Sequence, residues 1–167
     1  VESLIDLLII IIFYTMIIPA CVLLHELGHA FGVVLFSKKR ATVYLGRERK
    51  GKETFRVGRI SFCIKWSSVG FCGWEHKEAS VFQRVMVFGG GPLVSFVLFS
   101  LFFILTFHHT LHEDFNLLCH GIWIFNLINF AVTAFPFIYP KWWGPYAGLP
   151  SDGYQIYQTL KRAEPIQ

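Results

Sequence analysis

The chain has 167 residues, 54% of them hydrophobic and 17% aromatic, and only 16% charged, against about 25% charged in soluble domains. Its 18 phenylalanines and mean hydropathy of +0.50 exclude a disordered chain, which lacks apolar surface to bury. Four scattered cysteines exclude a disulfide framework. The net charge of +4 raises the question of a nucleic-acid partner, and the distribution of the basic residues answers it.

Three stretches hold no Asp, Glu, Lys or Arg: Leu7 to Leu24, Val85 to Phe107 and Phe115 to Tyr139. Each is long enough, at 1.5 Å per helical residue, to cross about 30 Å of hydrocarbon. They predict three transmembrane helices at about 4–36, 80–107 and 115–139, so the first partner is the lipid bilayer. The first run lacks a basic leader and a small-residue cleavage site and stays apolar to Phe36, so it is expected to be retained.

Near the end of the first span stands His25-Glu26-Leu27-Gly28-His29. Four helical residues turn the chain by about 400°, which leaves the two imidazoles on one face, a turn apart, within reach of one metal ion. Glu26 lies beside the same ion, where it can take a proton from water acidified by the cation and return it to a leaving amine. Two His and a Glu in an otherwise uncharged span are costly unless they meet a partner, which favours a functional reading over a polar network that fastens helices.

Eleven of the 15 basic residues, from Lys38 to Lys77, fall between the first and second spans. That loop is expected to be cytosolic, with the N-terminus outside and the C-terminus inside. The basic cluster then reads as a topology signal and a contact for anionic lipid, and without a nucleic-acid motif no nucleic-acid partner is expected. By helical rise His25 lies about 16 Å before Phe36, which puts the metal inside the bilayer, nearer the cytosol. Within the loop, residues 41–75 predict a small membrane-associated β-sheet. Ile60, Phe62, Ile64 and Trp66 alternate with Ser61, Cys63 and Lys65 as in a half-buried strand, and Gly58 marks a bulge or bend. An exposed edge of that sheet could pair with an unwound substrate, or the sheet could only cover the site. Cys63, Cys72 and His76 lack the spacing of a structural zinc site.

Gly89-Gly90-Gly91-Pro92 interrupts the second span and is expected to bend or break it, through close helix approach beside the metal or simple small-residue packing. His108, His109 and His112 in the outer connection read as an interfacial loop. Cys21 and Cys119 read as packing residues. Asn126 and Asn129 in the third span serve either as helix glue or to hold a peptide backbone. The stretch from Pro136 to Pro150, with Trp142, Trp143 and Tyr146, reads as an interfacial aromatic belt followed by a chain turning back toward the membrane. A short interfacial helix is predicted at about 152–162, capped by Ser151.

A catalytic zinc needs a third protein ligand and one open position. Glu48, Glu53, Glu75, Glu78, Asp152 and Glu164 lie on the cytosolic side. Asp152 is best placed, at a helix N-terminus that would keep it ionised, although an ordinary helix start explains its position equally well.

HELGH, Gly91-Pro92, Asn126 and Asp152-Gly153 together resemble the site-2 protease family of intramembrane zinc metalloproteases, over nearly the whole chain. The resemblance implies a mainly α membrane protein, a three-helix core with a small cytosolic sheet inserted, forming one metalloprotease unit over 1–167. It implies Zn2+ held by His25, His29 and Asp152, Glu26 as base, and Asn126 or Asn129, the former preferred, holding the substrate backbone. Ser151 stands where the family usually has Leu. The implied activity is a zinc-dependent endopeptidase cutting membrane-embedded substrates. Competing readings are a non-catalytic metal-binding or scaffold protein, and a membrane-bound zinc peptidase acting on soluble peptides.

Overall fold

The computed structural model describes residues 2–47, 51–107 and 113–163, and contains five α-helices and a four-stranded sheet among them. Glu48, Glu164 and the His108, His109 and His112 cluster lie outside the described residues. Helices α1 (Glu2–Ile12) and α2 (Ile18–Phe36) run through a π-helical turn, Phe13–Ile17. The cause is local. Pro19 has no N–H to offer the Thr15 carbonyl one α-turn earlier, so the ladder opens there, and the Trp66 indole N–H donates to that carbonyl at 2.6 Å.

Strands β1 (Ala41–Leu45), β2 (Phe55–Val57), β3 (Ile60–Ile64) and β4 (Gly70–Trp74) form a sheet in the order β2-β3-β1-β4. β1 is parallel to β3 and antiparallel to β4, and β2 and β3 form a hairpin whose turn uses Gly58 at φ +57°. The half-buried pattern expected for β3 is not observed: Ile60 through Cys63 are all buried, because β3 is an interior strand and Arg56 reaches across to Ser61. Trp66 lies beyond the strand, in the loop that caps Thr15. Val43, Ile60 and Phe62 bury one face of the sheet against Ala30, Val33 and Val87 of the helices. Arg59 fastens the sheet to the end of α2 by donating to the carbonyls of Val34, Ser37 and Lys39, where the helix dipole is negative.

Helix α3 (Val81–Leu105) starts with a capping box between Ser80 and Gln83, and the Gln83 amide also donates to the Phe36 carbonyl, closing the gap between α2 and α3. The break expected at Gly89–Pro92 is absent and the helix is continuous. The close helix approach expected of the glycines is present at the crossing with α2: a Cβ on Gly28 would stand 2.7 Å from the Gly90 carbonyl carbon, so the two backbones touch. Helix α4 (Glu113–Ala134) is held to α3 by an aromatic column that includes Phe96–Phe130 and Phe103–Trp123. It ends five residues before Tyr139, the expected end of the span. Pro136 disfavours helix at the residue before it, and the chain turns there into a strap, residues 135–150, that leads to α5 (Asp152–Lys161).

Three helical segments, Leu7–Phe36, Val81–Leu105 and Glu113–Ala134, are long and apolar enough to cross a membrane. Leu93, Val97 and Ile104 of α3 and Leu117, Ile124 and Ile128 of α4 stand exposed, as lipid-facing residues do. The sheet, the strap and α5 all sit at the end of the bundle where α2 and α4 finish and α3 begins.

Candidate metal centre

His25 and His29 project from adjacent turns of α2 toward α3, with their Nε2 atoms 3.3 Å apart. Both are buried. Room for them comes from Gly91, where a Cβ would stand 2.6 Å from His25 Nε2 and nearer still to His29 Nε2. The other ring nitrogens are held. His29 Nδ1 donates to the Val87 carbonyl at 2.7 Å, and because a carbonyl only accepts, Nε2 is the nitrogen that carries the free lone pair in the neutral ring. His25 Nδ1 lies 2.9 Å from Ser95 Oγ, which also accepts from Asn129 Nδ2 at 2.9 Å. Partners of this kind fix the tautomer and orientation of metal-binding histidines.

Asp152 supplies the third corner. Its Oδ2 lies 3.5 Å from His25 Nε2 and 3.4 Å from His29 Nε2. Ser151 puts it there: the buried hydroxyl donates to the Phe135 carbonyl and accepts from the Phe137 and Tyr154 N–H groups, so it caps α5 and staples it to the end of α4. Gly153 permits the contact, since a Cβ would stand 2.6 Å from the Ala134 carbonyl carbon. The helix-cap and ligand readings of this segment are therefore compatible, with Ser151 as cap and Asp152 facing the imidazoles. The long spacer from Asn126 is taken up by the strap, whose ends pair at Ile138 and Pro150 and between Tyr139 and Leu149. Burial opposes a charge on Asp152, yet the neighbouring His29 and His25 hold its carboxyl below the usual carboxylate range.

These donors fit a zinc ion. Zinc–ligand bonds of about 2.0–2.1 Å in a tetrahedron put ligand atoms about 3.3–3.4 Å apart, and the three observed separations are 3.3, 3.4 and 3.5 Å. A single proton satisfies one edge of that triangle, whereas a divalent cation satisfies all three. Among the described residues, His25, His29 and Asp152 form a group of ligating atoms mutually within 4.8 Å.

A cavity of about 420 Å³ opens beside this triangle, lined by Glu26, Asn129, strand β4 and the strap residues Tyr139, Trp143 and Tyr146. Glu26, one position on from His25, turns toward β4 and sits against Gly70, where a Cβ would stand 2.6 Å from its Cγ. Gly46 N–H donates to the Val69 carbonyl, so by antiparallel alternation Gly70, Cys72 and Trp74 direct their backbone groups away from β1, toward the edge of the sheet. Burial, with the negative charges of Glu26 and Asp152, raises the phenols of Tyr139 and Tyr146, so both stay neutral hydrogen-bond donors.

The two asparagines part company. Asn126, the preferred substrate holder in the sequence, is fully buried, donates to the Ile122 carbonyl and Cys21 Sγ, and does not reach the cavity. Asn129 does. The expected aromatic belt is corrected in part: Trp142 is exposed, but Tyr139, Trp143 and Tyr146 turn inward onto the cavity. Of the other carboxylates weighed as ligands, Glu53 pairs with Arg56, and Glu75 and Glu78 with Lys39. Sequence reasoning missed Ser95 and Gly70. Ser95 had a signal, standing one helical turn after Gly91 on the face that meets the histidines.

The model of Peptidase family M50 matches residues 13–163. No curated protein and no solved structure matches.

Proposed function

The chain belongs to peptidase family M50, a family of membrane-embedded zinc metalloproteases, and on that premise we propose that it is an intramembrane endopeptidase that cuts peptide bonds in or near transmembrane segments of other proteins. The observation that carries this reading is the buried triangle of His25, His29 and Asp152 with Glu26 on the adjoining cavity wall. In it, His25, His29 and Asp152 hold zinc, which when bound supplies a Lewis acid that polarises the scissile carbonyl and acidifies water. Glu26 accepts a proton from the attacking water as its oxygen bonds to the carbonyl carbon, then delivers that proton to the amide nitrogen as the C–N bond breaks. Ser95 and Asn129 hold His25, and Asn129 also faces the cavity, where its amide meets the substrate backbone.

The substrate enters as an extended segment added to the edge of β4, which runs along the cavity past Glu26. Helical segments hide their amides in intrahelical bonds, so sequences with weak helix propensity near the cut are the better substrates. The basic residues of the loop support an orientation with the sheet, the strap and α5 on the cytosolic side and the N-terminus outside. The test is Glu26→Gln, reconstituted in liposomes with a membrane-spanning peptide. Zinc content stays at the wild-type level and cleavage falls by at least 100-fold, the usual weight of a general base. Unimpaired cleavage rejects the mechanism, and the absence of any chelator-sensitive cleavage by the wild type favours a metal-binding scaffold instead.

A further inference from the structure

One hydrogen-bonding position on the edge of β4 is already taken. The Tyr146 hydroxyl accepts from Gly70 N–H at 3.0 Å and donates to the Gly70 carbonyl at 3.2 Å. In an antiparallel ladder a single partner residue exchanges both of these bonds with the residue opposite. The phenol therefore does the work of one peptide unit of an added strand, at the rung beside Glu26. Its ring rests on Phe71, with centroids 5.2 Å apart, and lies 5.7 Å from that of Tyr139.

We propose that Tyr146 is a specificity-determining residue that mimics substrate backbone, so that the site admits only a chain able to take up extended structure and displace the hydroxyl from Gly70. This rests on the strand-addition reading above. The strap is built to release it. Its two limbs are closed on each other by Tyr139 N–H to the Leu149 carbonyl and Gly148 N–H to the Tyr139 carbonyl, so it keeps its shape as it lifts. Gly144 and Gly148, on either side of Tyr146, take φ of +54° and +74° with open space where a side chain would be. A helical segment offers Gly70 no spare amide or carbonyl and leaves Tyr146 in place. A locally unwound segment offers both and replaces one pair of bonds with an equivalent pair, continuing at Cys72 and Trp74. The substrate class is thus an apolar segment already unwound at the cut, and helical neighbours in the same bilayer are refused.

The experiment uses the full chain, zinc-loaded in micelles, with the best-cut member of a pool of quenched apolar peptides and its singly N-methylated analogues. In the wild type, N-methylation raises KM at alternate positions, those of the residues that face Gly70, Cys72 and Trp74. Tyr146→Phe keeps the ring on Phe71 and removes only the hydroxyl. It lowers KM for the parent peptide about fivefold, the weight of about one net hydrogen bond, at unchanged zinc content, and narrows the gap between helical and pre-extended peptides. A sensitive N-methyl position together with an unchanged or raised KM in Tyr146→Phe overturns the role of Tyr146 and leaves strand addition standing. A flat N-methyl scan, or no cleavage of any peptide, removes the premise and the proposal with it.

Discussion

Replacing Gly91 by Ala adds a single methyl group to a residue that donates nothing to the metal, yet it should remove the metal. The new Cβ would lie 2.6 Å from His25 Nε2 and from His29 Cε1, where a relaxed carbon contact needs about 3.5 Å. The rings, or the α2–α3 crossing, must give way by at least the difference, about 0.9 Å, since His29 Nε2 is nearer still. The crossing has little to give, because Gly28 and Gly90 are already in backbone contact next door. Metal–ligand distances tolerate about 0.2 Å, so at least one imidazole leaves the set. Zinc affinity should fall by at least about 100-fold, or about 2.7 kcal/mol, and overpacking should cost a further 1–3 kcal/mol or so of stability. Gly89→Ala is the control, since nothing lies within 4 Å of its Cβ. It should bind zinc normally. Competition with a fluorescent chelator measures both variants, and wild-type zinc affinity with wild-type turnover in Gly91→Ala would refute the packing argument.

Asp152→Asn keeps the shape and the helix start but weakens the third donor, so purified protein should lose most of its zinc on dialysis against chelator, whereas Glu78→Gln, on a carboxylate paired with Lys39 at the surface, should keep it; zinc analysis of the two separates the ligand from its rivals. Asn129→Ala should lower kcat/KM by about 10- to 100-fold through the loosened His25, while Asn126→Ala should leave turnover near wild type and reduce thermal stability in detergent by about 1 kcal/mol, the scale of a hydrogen bond inside a membrane bundle. Trp66→Phe uncovers the Thr15 carbonyl at the π-turn and should cost about 1–3 kcal/mol, read as a lower unfolding midpoint.

What could be read along the chain was whatever depends on spacing within one element. His25 and His29 share a face because four residues make one helical turn, and the insert announced itself by short alternating runs bounded by glycine. What could not be read depends on how elements meet. Asn126 and Asn129 are three positions apart on one helix, and nothing in α4 itself says which will face Cys21 and which the cavity; the placement of α2 and α3 decides it. The burial of Ser61 and Cys63 follows from the parallel pairing of β3 with β1, which brings a second neighbour to a strand whose own pattern has only one apolar face. Residues 135–139 are apolar enough for a span, but Pro136 and the Ser151 hydroxyl draw them out of the helix into the strap. The aromatic residues there matched the composition of a membrane interface, and that composition equally suits the wall of an apolar cavity.

The same long-range assembly ties metal binding to the fold. The three proposed ligating atoms come from α2 and from the start of α5, more than 120 residues later in the chain, and the histidines are braced by Val87 and Ser95 of α3 and by Asn129 of α4. A cation at the triangle therefore binds only after all four helices have met, and its binding free energy adds to the stability of that arrangement. Without a cation, two imidazole nitrogens and a carboxylate oxygen face one another within 3.5 Å, where a single proton satisfies only one edge, and the contact best able to yield is the docking of α5. Its N-terminus is held by Ser151 and Gly153 against the end of α4 and the start of the strap, and its length packs on α3, whereas the histidines are built into the interior of a continuous helix at the α2–α3 crossing. Chelation should therefore loosen α5 and the adjoining strap first, with faster amide exchange over residues 137–161 while α2 and α3 stay protected. Uniform deprotection of all the helices on zinc removal would show instead that the ion supports the whole bundle at once.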